Sequence, residues 1–498
     1  MASRSCGTCR DRRVLCDRTV PTCSQCSQSN RTCKGYGLRL SWPKANDKRR
    51  AMVARSSLQH RSARPRFSNA HLVNTSTWDI EMHRYLFGLV SSGNAFQEYH
   101  RLTLQSPMPF NPFKFDVTEN CLFQYFQSTA SCSLTTFGHD PTNVGNILIR
   151  MALVNNSPST AAVLRSLLAL SSLHRSGLQS QAAELKIASL NALSVASNRE
   201  ISAMETIQHV AAGMLLCSYE IYQASCTSGQ WRSYIIGVKS VIKASSLDTF
   251  KRDSDFNALL DWVYYHDVLS RFSLTHWHPP EIDRLLVDLN EPVGTLLLPV
   301  NTDPCMEITH STKSPFIKIL KSFTEVCNLV PTNLTHMSPS EEADNFKSYL
   351  QILAWKIRSI SISDTIIDEN PRMAALVELF QLATLVYLNR AFGNTLESAA
   401  ETQQRFERAF SIFTELSSCE RQYPLFILGC EARTDAERCI VMDLISRTEK
   451  GDSSRSLFIT KKLIQAIWVQ DDLSQGEIDY TGKLSAIMSC CTILPTFV

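Results

Sequence analysis

Cys6, Cys9, Cys16, Cys23, Cys26 and Cys33 are the residues of this chain whose type and spacing imply chemistry most directly. They read C-x2-C-x6-C, six residues, then C-x2-C-x6-C again, so the second half repeats the first with an offset of 17 residues. Cysteines placed by chance do not repeat two gaps in order. On spacing alone the thiols could ligate metal, form disulfides or serve as small buried hydrophobes. A C-x2-C pair lets one turn of backbone present two thiolates to a tetrahedral structural zinc. A single four-sulfur site would leave two thiols spare, yet each half offers the same three ligands. Two ions need eight ligand positions, and the six thiolates fill them when two sulfurs bridge. The formal charge is then −6 from the six sulfurs and +4 from two zinc ions, leaving −2. Such a cluster favours nearby cations, and Arg10, Arg12, Arg13 and Arg31 are at hand.

The halves share ligands but not charge. RDRRVL, between Cys9 and Cys16, carries three arginines, whereas SQSNRT, between Cys26 and Cys33, carries one. A short helix after the first C-x2-C is therefore the element expected to enter the major groove of DNA. Arginine forks fit the O6 and N7 acceptors of guanine, worth about 1–3 kcal/mol of discrimination each. The competing reading is that the arginines only neutralise the thiolates. A module this small has too little core to fold alone. Zinc binding is then its folding energy, on the order of 10–16 kcal/mol in comparable zinc peptides.

The six cysteines, Arg10 directly after the second, the pair Arg12 and Arg13, Asp17 after the third and Pro21 between the halves resemble a known family. It is the fungal binuclear zinc cluster, the Zn2Cys6 DNA-binding domain of fungal transcription factors. The resemblance implies two Zn2+ ions held by all six cysteines, with Cys6 and Cys23 bridging. It further implies reading of CGG-type triplets in double-stranded DNA by Arg12 and Arg13, with Arg10 and Arg31 on phosphates or balancing the cluster. Leu15 departs from the pattern, since the family usually carries Lys or Arg just before the third cysteine. Asp11 also lies among the arginines. Losing one phosphate partner weakens binding and lowers its salt dependence.

Charge divides the chain. Residues 1–66 hold 16 Lys or Arg and 3 Asp or Glu (+13), and the remainder holds 34 basic against 44 acidic residues (−10). A basic end on a mildly acidic body suggests a nucleic-acid-facing tail and a protein-facing bulk. GYGLRLSWP, with Leu38, Leu40 and Trp42 alternating, reads as an extended segment. A basic run follows, with Lys44, Lys48, Arg49 and Arg50 as a nuclear localisation signal. No apolar signal region opens the chain and no uncharged apolar run of about 18 residues is present. We therefore expect an intracellular, nuclear protein with reduced thiols and no membrane partner. The remaining eleven cysteines show no C-x2-C spacing and read as buried hydrophobes. No three-heptad pattern follows the cluster, so a homodimer is not specified.

From about residue 79 the pattern is helix after helix. In SPSTAAVLRSLLALSSLHRSG, Ser157 can N-cap, Pro158 suits the first position, Val163, Leu164, Leu167 and Leu168 share a face, and Gly177 can end the helix. Trp231, Ile235, Val238 and Ile242 recur at spacings of four, three and four. The expected organisation is a zinc-cluster module with two short helices (1–36), a basic linker (37–78) and a large all-α domain (79–498). LLALSSLHRSG, MLLCSYEIY before Trp231, WVYYHDVLS and YPLFILGCEARTDAER resemble, in order, the regulatory domain that accompanies the cluster in fungal transcription factors. The group that includes acriflavine-sensitivity control regulators is the nearest. The resemblance implies regulation and interaction with co-regulators or transcription machinery, and names no catalytic residue.

His266, Asp267, His276 and His278 could suggest a metal site, but His266 and Asp267 are adjacent and so point about 100° apart on a helix. Neither H-E-x-x-H, a phosphate loop nor a G-x-S-x-G elbow is present, so an enzyme is not expected. Trp468, Asp471, Asp472, Glu477, Asp479 and Tyr480 in 467–480 could form an acidic–aromatic activation surface or simply an amphipathic terminal helix. The reading is a zinc-dependent, sequence-specific regulator of RNA polymerase II genes in a fungus, serving a biosynthetic or resistance pathway. Its competitor is a nuclear interaction protein whose zinc module docks protein, favoured by Leu15 and Asp11.

Overall fold

Capping chemistry sets where the helices begin. Ser76–Asp79, Ser202–Glu205 and Ser398–Glu401 form reciprocal capping boxes, and Pro141, Pro158, Pro315 and Pro371 occupy first helical positions, where a missing N–H costs nothing. Ser157 Oγ accepts from the Thr160 amide at 3.2 Å, and Gly177 closes the same helix at φ 71°, a conformation that penalises any side chain.

The computed structural model describes residues 5–19, 21–34, 73, 75–88, 118–198, 201–223, 230–245, 254–278, 314–330, 341–361, 370–451, 455–474 and 479–498. The chain divides into two compact units, Met1–His71 and Leu72–Val498. The first contains α1 (Gly7–Arg12) and α2 (Ser24–Gln28). The second contains α3 (Thr77–Leu86), α4 (Glu119–Ser128), a 3-10 turn (Ala130–Ser133), α5 (Pro141–Ala152), α6 (Pro158–Ser176), α7 (Ser180–Ser197), α8 (Ala203–Tyr222) and α9 (Gln230–Ala244). It continues with α10 (Ser254–His276), α11 (Pro315–Leu329), α12 (Glu341–Arg358), α13 (Pro371–Ala391), α14 (Ala399–Glu415), α15 (Gln422–Cys430), α16 (Asp435–Gly451), α17 (Arg455–Leu473) and α18 (Tyr480–Ser489). The described residues contain no strand.

The large unit holds two hydrophobic cores. The first gathers α4–α9 around Leu122, Leu167, Leu215 and Trp262; the second gathers α11–α18 around Phe323, Phe380, Tyr423 and Leu463. Helix α10 joins them: Phe256 to Val263 belong to the first core, Tyr264 to Phe272 to the second. Such a helix must be covered on all sides, and α10 is: even Asp261, His266, Asp267 and His276 are buried, each with a polar partner. Phe272 is its hub, packing edge-on against Tyr387, Tyr423, Phe426 and Phe497.

On α9 the buried residues are Trp231, Ile235, Val238 and Ile242, the stripe read from the spacing. Gly213 lets α8 and α9 approach, since a Cβ there would lie 2.4 Å from Val238 Cγ2. Helix α13 is long and apolar enough to cross a membrane, but Val377, Phe380, Ala383 and Tyr387 bury it in the second core. The expectation of uniformly buried body cysteines needs correction: Cys217, Cys327, Cys419, Cys430 and Cys491 are buried, whereas Cys121, Cys132 and Cys439 are exposed. Cys121 and Cys439 occupy positions on α4 and α16 that the helical repeat turns outward.

Candidate metal centre and nucleic-acid interface

The thiols of the small unit converge. Cys6, Cys9, Cys23 and Cys26 are buried, and Cys16 and Cys33 are partly so. Cys6 Sγ lies 3.5 Å from Cys23 Sγ and 3.7 Å from Cys26 Sγ; Cys9 Sγ lies 3.6 Å from Cys23 Sγ and 3.9 Å from Cys26 Sγ. Two quartets result, Cys6–Cys9–Cys16–Cys23 and Cys6–Cys23–Cys26–Cys33, each with all sulfurs within 4.8 Å of one another. They share Cys6 and Cys23. A tetrahedron built on Zn–S bonds of about 2.3 Å has sulfurs about 3.8 Å apart. The donor set therefore fits two ions on two shared sulfurs, and the described cysteines form no disulfide.

Backbone geometry presents these sulfurs. Each C-x2-C spans one helical turn, and the Cys9 and Cys26 amides donate to the sulfurs of Cys6 and Cys23 at 3.3 and 3.4 Å. Such amides favour thiolate over thiol. Burial alone works the other way and pushes the Cys9 and Cys23 thiols up, so ionisation of the packed set needs the positive charge of bound metal. The halves also end alike: Val14 N donates to Cys9 O at 3.0 Å and Arg31 N to Cys26 O at 2.9 Å. The residue before each donor is left-handed, Arg13 at φ 56° and Asn30 at φ 47°, as in a Schellman helix end. Asp17 accepts from Ser24 N at 3.1 Å and from the hydroxyls of Ser24 and Thr19. The Ser24 hydroxyl above all holds its carboxyl below the ordinary range.

Arg12, Arg13 and Arg31 are exposed. Arg12 Nη1 donates to Ser29 Oγ at 3.2 Å, across the two halves. Arg10 lies on α1, with its side chain outside the described residues. Asp11, read as an intruder among arginines, pairs with Lys34 at 3.2 Å. No local pattern reveals that partner, which lies 23 residues away in sequence. Leu15 is 93% exposed. Pro21 is exposed as well. Lys44, Lys48, Arg49 and Arg50, together with Leu38, Leu40 and Trp42, fall outside the described residues.

In the large unit the histidine group does not converge. His266 Nε2 meets Thr135 O at 3.2 Å, and Asp267 pairs with Lys239 and Arg271 at 2.9 and 2.8 Å. His276 sits between Ser485 Oγ at 2.9 Å and Tyr387 OH at 2.7 Å, while His278 Nε2 meets Thr275 O at 3.1 Å. Among the described residues, the two cysteine quartets are the groups able to hold a metal.

Segment 467–480 is likewise committed internally. Trp468 is 7% exposed and donates to Gly429 O at 2.8 Å. Asp471 pairs with Arg433 at 2.8 Å, and Asp472 makes a two-pronged pair with Arg438, both bonds 2.7 Å. Asp479 caps α18, Tyr480 contacts the Tyr387 ring, and Glu477 lies outside the described residues. Of the two readings of this segment, the structure favours the packed terminal helix.

Comparison with known proteins gives the geometry its family. The fungal Zn(2)-Cys(6) binuclear cluster domain matches residues 4–43, and the fungal specific transcription factor domain matches residues 121–492. "Transcription factor iacI" of Pestalotiopsis fici is 42% identical over 402 residues, covering 79% of this chain and 99% of its own length. "Arginine metabolism regulation protein II" of Saccharomyces cerevisiae is 49% identical over 39 residues, 8% of this chain and 4% of that protein. "Acriflavine sensitivity control protein acr-2" of Neurospora crassa is 31% identical over 55 residues, 11% of this chain and 9% of that protein. No solved structure matches. The matched cluster domain binds two zinc ions, the number the paired quartets accommodate. The chain belongs to the fungal Zn2Cys6 transcription factors, with a binuclear zinc cluster near one end and an all-helical fungal specific transcription factor domain.

Proposed function

We propose that this chain is a nuclear, sequence-specific regulator that reads CGG-type triplets in double-stranded DNA through α1. In this reading Cys6, Cys9, Cys16, Cys23, Cys26 and Cys33 hold the two zinc ions, with Cys6 and Cys23 bridging. Arg12 and Arg13 contact guanines, and Arg10 and Arg31 contact phosphates. Residues 1–36 bind DNA, 37–78 form a basic linker whose Lys44, Lys48, Arg49 and Arg50 direct nuclear import, and 79–498 regulate and recruit partners. The observation that carries the reading is one module with two unlike faces. The quartets are shared equally between the halves, while RDRRVL has three arginines against one in SQSNRT. Metal ligation accounts for the equality, and an anionic ligand such as the DNA backbone accounts for the difference. The targets fit genes of one pathway, biosynthetic or protective. The names of two relatives, one concerned with arginine metabolism and one with acriflavine sensitivity, support that breadth.

Zinc content of the full chain, followed by binding to CGG-containing and scrambled duplexes across a salt titration, tests the proposal. Two zincs per chain with a CGG preference that persists in salt is the expected result. Two zincs without sequence preference would favour the second reading, in which the module docks a protein. That reading rests on Leu15, whose apolar side chain is exposed, and on Asp11 among the arginines.

A further inference from the structure

Helix α1 is tied to the second half of the zinc module along one face. Asp11 and Arg12 stand three and four residues after Thr8, so the three side chains are neighbours on the helix. Thr8 Oγ1 donates to Thr32 O at 2.9 Å and accepts from the Lys34 amide at 3.1 Å, and Asp11 accepts from Lys34 Nζ at 3.2 Å. The remaining tie is the bond from Arg12 Nη1 to Ser29 Oγ at 3.2 Å, between residues 17 apart in sequence.

Ser29 is built to accept it. The residue is the C-cap of α2, and its hydroxyl is directed at carbonyls of that helix, Gln25 O at 2.6 Å and Cys26 O at 3.3 Å. A hydroxyl has one hydrogen and two lone pairs. With the hydrogen spent on α2, the oxygen is left as an acceptor of fixed direction. A neutral acceptor orients a guanidinium without cancelling its charge, as a carboxylate would. The bond engages Nη1, and the Nε–Nη2 edge still offers two parallel N–H donors, the pattern that fits guanine O6 and N7. A long side chain gives up rotamer freedom when it docks, and a contact made beforehand lowers that cost.

We propose that Ser29 is a positioning residue for base selection, setting Arg12 in place from the half of the module that carries little charge. The inference rests on the reading of α1 as the DNA-contacting element, and it gives the second half a task beyond metal ligation.

Zinc analysis of the full chain, with titration of CGG-containing and scrambled duplexes at one salt concentration, tests it. Ser29→Ala should keep two zincs and lose about three- to tenfold of the CGG preference. Ser29→Thr, which retains the hydroxyl, should keep that preference. In an Arg12→Ala background Ser29→Ala should cost nothing further, because no guanidinium remains to be placed. Loss of zinc from Ser29→Ala would make the residue structural and overturn the proposal. So would an equal loss of affinity for both duplexes, a further loss in the Arg12→Ala background, or an unchanged preference in Ser29→Ala while the parent discriminates. A parent chain that does not discriminate at all would remove the DNA reading itself, and this inference with it.

Discussion

Arg13 and Asn30 occupy the same left-handed position at the ends of α1 and α2, with φ of 56° and 47°, 17 residues apart in a sequence that repeats at 17. Asparagine adopts this conformation readily, whereas arginine pays a steric cost for it. Keeping an arginine where the repeat itself tolerates asparagine indicates a use for its charge. Arg13→Asn should therefore retain two zincs per chain and fold at least as stably, while CGG preference falls by about 1–3 kcal/mol. Metal analysis beside duplex binding checks both halves of that expectation.

Because Cys6 and Cys23 belong to both quartets, their loss should differ from that of the outer cysteines. Cys6→Ser or Cys23→Ser should leave no bound zinc and an unfolded module. Cys16→Ser or Cys33→Ser should leave at most one ion and no DNA binding. Metal content by native mass spectrometry reads this directly, and two zincs in Cys6→Ser would refute the shared-sulfur arrangement.

Leu15 offers a third test of the proposed DNA reading. Replacing it with lysine adds a phosphate contact at an exposed position. The slope of log K against log salt should steepen by about 0.9, with several-fold tighter binding at low salt and unchanged zinc content. An unchanged slope would place Leu15 away from the DNA.

The large unit should be acid-sensitive. Burial lowers His276 to about 3 and His266 to about 4, from an ordinary 6.5. The unfolded chain takes up these protons first, so the stability due to neutral burial is complete above about pH 6.5 and is lost as pH falls toward 4. Each histidine contributes a slope of about 1.4 kcal/mol per pH unit in that window. His276→Gln should remove about half of their joint slope in urea unfolding between pH 7 and 5. Tryptophan fluorescence follows mainly this unit, because six of the seven tryptophans, all but Trp42, belong to it.

Local signals were the readable ones. The Ser157 cap, the Pro158 start and the Gly177 stop depend on neighbouring residues, and the α9 stripe depends on a repeat of 3.6. Such features are present in any short window of the chain. Segment 467–480 shows where a window fails. Its acids and Trp468 resemble an activation surface in isolation, but Arg433 and Arg438 reach them from 38 and 34 residues away. Cys121 and Cys439 were misjudged for a related reason, since cysteine is apolar enough to be buried yet small enough to be left outside.

The sequence by itself determined the two-zinc module, because six ligands at repeated short gaps can be brought together by turns that each span only a few residues. It also determined an all-helical body, because sparse Gly and Pro with helical periodicity act at the scale of single turns. Only the tertiary structure decided which polar groups of that body answer one another. His276 meets Tyr387 and Ser485 from 111 and 209 residues away, and Arg390, Glu431, Asp471 and Lys483 become neighbours only when four separate elements pack. Burial makes those pairings obligatory, and burial is a property of the packed chain rather than of any stretch of it.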